Sequence, residues 1–224
     1  MTSLQNPRVR NTLERLFAEA ARDEEREPSW PAGTSGETAS ALARANAMST
    51  IYMPVSRDGG NLLYSLVRAV RPTTVVEFGT SFGISTIFLA AAVADNGIGA
   101  VVSTELSTTK IAAARANLAE AGLDRYVTIL EGDALETLAG VDGPIGVALL
   151  DGWKNLCLPV LRLIEPKLTA GAMVIGDDSH FPSMTAYVDF VRDPGNGYVS
   201  VAFPVEDGME ISCWVGLSEV RRDR

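Results

Sequence analysis

The stretch Thr74-Val75-Val76-Glu77-Phe78-Gly79-Thr80-Ser81-Phe82-Gly83-Ile84-Ser85 constrains the fold more than any other part of the chain. A β-branched run reaches a carboxylate, passes through a glycine-bearing turn and opens into apolar, helix-patterned residues from Ile84 to Ala94. Strand, glycine turn, helix is how an open parallel sheet builds a small-molecule site at the carboxyl end of its first strand. Dinucleotide proteins space their glycines G-x-G-x-x-G so that backbone amides can approach a pyrophosphate. Here the spacing is E-x-G-x-x-x-G-x-S, and Glu77 is expected to point where a phosphate would lie. A ligand with a ribose and a positive group, and no phosphate, fits that pattern.

From this stretch onward, strand and helix patterns alternate. Strand-like runs fall at 74–78, 100–105, 126–130, 145–150 and 171–176, with helical segments near 84–94, 107–121, 134–139, 156–168 and 182–192. Val147-Ala148-Leu149-Leu150 is continuously apolar, as expected of a strand covered by helices on both faces. Two last strands, 198–203 and 209–216, flank Pro204-Val205-Glu206-Asp207-Gly208, a short polar turn that predicts an antiparallel hairpin. The expected class is α/β, a Rossmann-like, doubly wound and mostly parallel sheet. Upstream, 6–26 reads as a helix with Leu13, Leu16, Phe17 and Ala20 on one face, and the charged run Asp23 to Glu27 as its solvated end. A turn-rich joint from Pro28 to Gly36 follows, then helices at 37–47 and about 60–70, the second stopped by Pro72. The chain thus divides into an N-terminal helical arm, 1–52, and a sheet domain, 53–224.

Composition narrows the function. A formal net charge of -9 argues against nucleic acid, whose phosphates need clustered Lys and Arg. The one basic cluster, Arg221-Arg222-Asp223-Arg224, reads as a frayed tail. The apolar run Ile84 to Ala94 is too short to span a bilayer, and Met1 to Asn6 has no apolar signal core. Cys157 and Cys213 lack metal-ligand spacing and read as reduced thiols, so a cytoplasmic protein without membrane partners is expected.

Four further landmarks sit at predicted strand ends. Glu105 closes the second strand, about 20 residues past the glycine turn, where a carboxylate accepts ribose hydroxyls. Glu131-Gly132-Asp133-Ala134 follows the third, with Asp133 open between helix cap and cofactor contact. Leu150-Asp151-Gly152-Trp153-Lys154 follows the fourth, and Gly176-Asp177-Asp178 the fifth. The lone histidine, His180, lies two residues on and is a candidate accessory base or substrate contact.

With these landmarks in order, the region from Met53 to Val215 resembles the metal-dependent O-methyltransferases of the catechol and caffeoyl-coenzyme A type. The resemblance implies a seven-stranded sheet with its last strand antiparallel, S-adenosylmethionine as cofactor and a hydroxyl of a small molecule as acceptor. It implies cofactor contacts at Val55, Glu77, Gly79, Ser85, Glu105, Gly132, Ala134, Asp151 and Trp153. It further implies a divalent cation, magnesium first, at Asp151, Asp177 and Asp178. Asp151 and Lys154 would be the catalytic pair, with Lys154 as base, its pKa depressed by the cation and by burial. Two positions depart from the family: Gly152 stands where catechol-type members have histidine, and Asp178 where they usually have asparagine. The glutamate that bonds a catechol near the sixth strand has no match in Ser200-Val201-Ala202-Phe203. The family commonly forms dimers, and the arm is the expected subunit contact or substrate lid. The rival readings are a metal-independent O- or N-methyltransferase, a nicotinamide-dependent oxidoreductase and a non-catalytic cofactor-binding module.

Overall fold

The computed structural model describes residues 2–33, 35 and 38–216. The expected helix start at Glu37 and the expected frayed tail at Arg221 to Arg224 lie outside the described residues. A seven-stranded sheet is built from β1 (Thr74–Phe78), β2 (Ala100–Glu105), β3 (Val127–Glu131), β4 (Ile145–Leu150), β5 (Leu168–Asp177), β6 (Tyr198–Phe203) and β7 (Met209–Trp214). Its order is β3-β2-β1-β4-β5-β7-β6, and β7 runs antiparallel to both neighbours. The order reverses between β1 and β4, so the connections leave those strands in opposite directions and open a crevice at their carboxyl ends.

Register decides what meets in that crevice. Phe78 pairs with Leu150, and Leu150 with Gly176. The residues that follow, Gly79, Asp151 and Asp177, therefore emerge side by side from adjacent strand tips.

The helices are α1 (Pro7–Ala20), α2 (Ala41–Ala47), α3 (Arg57–Val70), α4 (Ile84–Asn96), α5 (Thr108–Ala121), α6 (Ala134–Thr137), α7 (Cys157–Ile164) and α8 (Thr185–Arg192). Almost every residue of α4 is buried, which explains its continuously apolar sequence. One side covers the sheet, and α1 and α3 pack against the other. Ser107 caps α5 through the Lys110 amide, and Gly122 ends that helix in the left-handed conformation.

Three expectations shift. The fifth strand begins at Leu168 rather than 171, because β4 extends the ladder back to an Ile145–Leu168 pairing. The helix before it stops at Ile164, where Glu165 to Lys167 tighten around Pro166. The charged run after α1 is not wholly solvated. The Asp23 carboxylate turns inward, accepting the amides of Tyr52 and Met53 at 2.8 and 2.9 Å and pairing with Arg26 at 2.7 Å. No helix among the described residues is long and apolar enough to cross a membrane.

Candidate active site

A cavity of about 430 Å³ opens at the carboxyl ends of the strands. On one wall, the carboxylates of Asp151, Asp177 and Asp178 each bring an oxygen within 4.8 Å of the others. Lys154 stands among them, its Nζ 2.7 Å from Asp151 and 2.8 Å from Asp178. Burial and the neighbouring Asp151 push the Asp177 carboxyl up to about 8, and burial raises Asp151 as well. As bare anions these groups repel one another. Three hard oxygen donors at this separation fit a magnesium-like dication, which would relieve that repulsion.

The expected pKa depression of Lys154 is reversed by the residues present. Burial opposes its charge, but Asp151 and Asp178 outweigh that effect and raise its pKa, so the side chain is an ammonium. Deprotonation would require a competing positive charge at the carboxylates.

The same cavity holds most of the expected cofactor residues. Val55, Gly79, Ser85, Glu105, Gly132, Ala134, Asp151 and Trp153 all line the cavity. Glu77 does not. It is fully buried, and its carboxylate accepts from Ser85 and Thr86 at 2.7 and 2.6 Å and from Ser103. Glu77 therefore faces the first turn of α4, and of the three hydroxyls that bond it only that of Ser85 belongs to a cavity-lining residue. Its burial pushes its pKa up to about 7, against the three donors. Gly79 has φ +103°, and a Cβ there would meet the Asp151 carbonyl at 2.7 Å, so no larger residue lets the two loops approach. Asp133 both caps α6, accepting from the Leu135 amide at 2.8 Å, and lines the cavity. His180 is exposed and off the cavity wall; its amide bonds Asp207 and its ring lies against Gly208.

Residues 76–179 match the model of a family described as a methyltransferase domain. Over 147 residues the chain is 31% identical to a catechol O-methyltransferase of Mycobacterium tuberculosis, covering 65% of this chain and 66% of that protein. Over this stretch the chain is similar to O-methyltransferases. Catechol O-methyltransferase B of Danio rerio is 28% identical over 178 residues, 73% of this chain and 66% of that one. The matched stretches thus span just under two thirds of the length of these curated relatives. An O-methyltransferase from Bacillus cereus, solved in complex with S-adenosylhomocysteine (SAH), shares the fold with a TM-score of 0.68 at 20% identity, covering 91% of this chain and 90% of that chain.

Several cavity residues come from places that no motif marks, although the arm is an expected substrate lid. Ala41 and Ala45 of α2 reach the cavity, while Arg44 lies 5.0 Å over the Trp153 ring. Tyr52 stacks on Phe82 with centroids 3.8 Å apart, and the Ser81 hydroxyl donates to the Tyr52 carbonyl at 2.6 Å. Phe181, Glu206 and Asp207 line the mouth near the acidic trio. Lys110, buried in the first turn of α5, lines the cofactor side. Position in a loop or an unremarkable helix hid all of these; only the aromatic pair at 52 and 82 was open to suspicion beside the glycine turn.

Proposed function

We propose that the protein transfers a methyl group from S-adenosylmethionine to a hydroxyl of a small molecule, with a divalent cation, magnesium first, held by Asp151, Asp177 and Asp178. The observation that carries this reading is the meeting of that trio and Lys154 in one cavity with Gly79, Ser85 and Glu105. The relatives named catechol O-methyltransferase support a hydroxyl acceptor, and the SAH complex of the Bacillus cereus protein supports the donor.

Each residue then has a task. Glu105 accepts the ribose hydroxyls, and the backbones at Gly79, Gly132 and Ala134 allow close approach of the cofactor. Val55 and Trp153 flank the cofactor, and Glu77 fixes the orientation of Ser85 beside it by accepting the hydrogen bond its hydroxyl donates. A dication at the trio supplies positive charge that acidifies and orients an acceptor hydroxyl. Lys154, once its carboxylate partners are neutralised, takes the hydroxyl proton. Met53, Trp153 and Phe181 give the acceptor an apolar mouth, and α2 covers it as a lid. Holding acceptor oxygen, methyl and sulfur in line is the remaining task, one in which orientation alone lowers the barrier substantially. A metal-independent route would leave three clustered carboxylates facing a single lysine.

We place this enzyme in the cytoplasm, where its free Cys157 and Cys213 suit a reducing compartment. Because α1 buries its apolar face within the fold, a homodimer would meet through other surfaces, with exposed Leu42 the apolar residue α2 offers.

Lys154→Ala is expected to hold SAH as tightly as the parent while methyl transfer falls about 100-fold or more. Calorimetry and single-turnover kinetics measure the two quantities separately. Parental turnover in that variant refutes the base assignment, and failure of the parent to bind SAH refutes the function.

A further inference from the structure

Lys110 is 4% exposed, yet it lines the cavity. Among the described residues its ammonium makes no ion pair and no side-chain hydrogen bond; its one close partner is the Phe82 ring, 5.7 Å away. Leaving a buried charge so poorly matched is unfavourable unless something else completes it.

The carboxylates that influence Lys110 are Glu105, Asp23 and Asp151, and each is already engaged. Asp23 pairs with Arg26 and accepts the Tyr52 and Met53 amides. Asp151 pairs with Lys154. Glu105 accepts the amides of Ser81, Leu106 and Ser107 at 2.9, 2.9 and 2.8 Å. Lys110 is thus the cation this wall leaves over, and its strongest charged neighbour is Glu105.

A ribose diol at Glu105 gives the chemistry a natural closure. Each hydroxyl has one proton to donate and two lone pairs to fill. Three amides fill all but one of the roughly four acceptor sites of Glu105, so it can take one diol proton, and as a carboxylate it offers nothing to the lone pairs. We propose that Lys110 is a second ribose anchor, donating from its ammonium to the oxygens of the diol that Glu105 holds. The diol then lies between an acceptor and a donor of opposite charge. This proposal rests on the cofactor reading above and assigns to Lys110 a role in cofactor affinity rather than in proton transfer.

The test is a thermodynamic cycle. SAH and its 2′,3′-dideoxy analogue are titrated calorimetrically into the parent protein and Lys110→Met, whose apolar chain keeps most of the lysine's bulk. A lost charge-assisted hydrogen bond predicts that the variant binds SAH about tenfold more weakly or worse. The variant and the parent should bind the dideoxy compound equally, because the group Lys110 contacts is missing. The ligand-free variant should melt no lower than the parent, since an unmatched buried charge has gone. Equal SAH affinity in both proteins overturns the proposal, as does a loss of the same size with the dideoxy compound. A partly unfolded variant would weaken both ligands alike and so cannot imitate the expected difference. If the parent binds SAH and only the Lys110 comparison fails, the cofactor reading stands; if the parent binds neither compound, that reading falls first.

Discussion

At position 178 the chain departs from the asparagine usual in the family it resembles, yet it keeps a backbone that asparagine also favours. Asp178 has φ +55°, a left-handed conformation that Asn and Asp enter more readily than other side-chain-bearing residues. Asp178→Asn therefore changes charge with little change in backbone demand. Asp178 is one of two carboxylates that raise the Lys154 pKa, so its neutralisation must lower that pKa and enlarge the fraction of neutral amine at any given pH. The acid limb of the kcat/KM profile should then move to lower pH by about one unit. A limb that stays in place, measured with the metal concentration held saturating, would show that Lys154 is not the group titrating. The other departure, Gly152, also has a local cause. A Cβ there would lie 2.4 Å from the Phe78 ring, so the aromatic at 78 and the glycine at 152 belong together. The carboxylates were legible because each ends a recognisable strand, and parallel register sets such ends side by side. The direction in which Glu77 points was not, since a strand residue at the sheet's centre can face either side and only the hydroxyls of Ser85, Thr86 and Ser103 decide it.

Among the elements, α1 shows how far an amphipathic pattern can be read and where it stops. The face of Leu13, Leu16 and Ala20 was visible from helical spacing, but not the surface it covers. Val9, Leu13, Leu16 and Ala20 join the same core as α4 and α5, and Phe17 meets Phe88 edge-on at 6.5 Å. Leu16 is completely buried there. Leu16→Ala should destabilise the whole protein by about 2–5 kcal/mol and lower a single thermal transition. An unchanged main transition beside a new low-temperature one would mean that the arm folds separately. Strand and helix positions were otherwise clear from the alternation of apolar runs, with ends misplaced by a few residues where a ladder extended or a proline tightened a turn. Nothing local announced that α2 reaches the cavity, where Ala41 and Ala45 line it and Arg44 lies over Trp153, a residue far away in sequence.

At the scale of the molecule, the acidic balance visible in the sequence is concentrated where chemistry is proposed. Glu105, Asp133, Asp151, Asp177, Asp178, Glu206 and Asp207 line the cavity against two lysines, Lys110 and Lys154. Such a field favours a dication and a sulfonium donor and disfavours a strongly anionic acceptor. On the proposed mechanism it also makes positive charge at the trio indispensable, because Lys154 cannot both neutralise the carboxylates and give up its own proton. Methyl transfer from labelled S-adenosylmethionine to a small-molecule hydroxyl acceptor that the protein turns over, followed with magnesium present and again after chelation, probes this dependence directly. Labelled product should form with magnesium, vanish with the chelator and return when magnesium is restored in excess. Product formation that proceeds undiminished in the chelator would show that the three aspartates serve some other end.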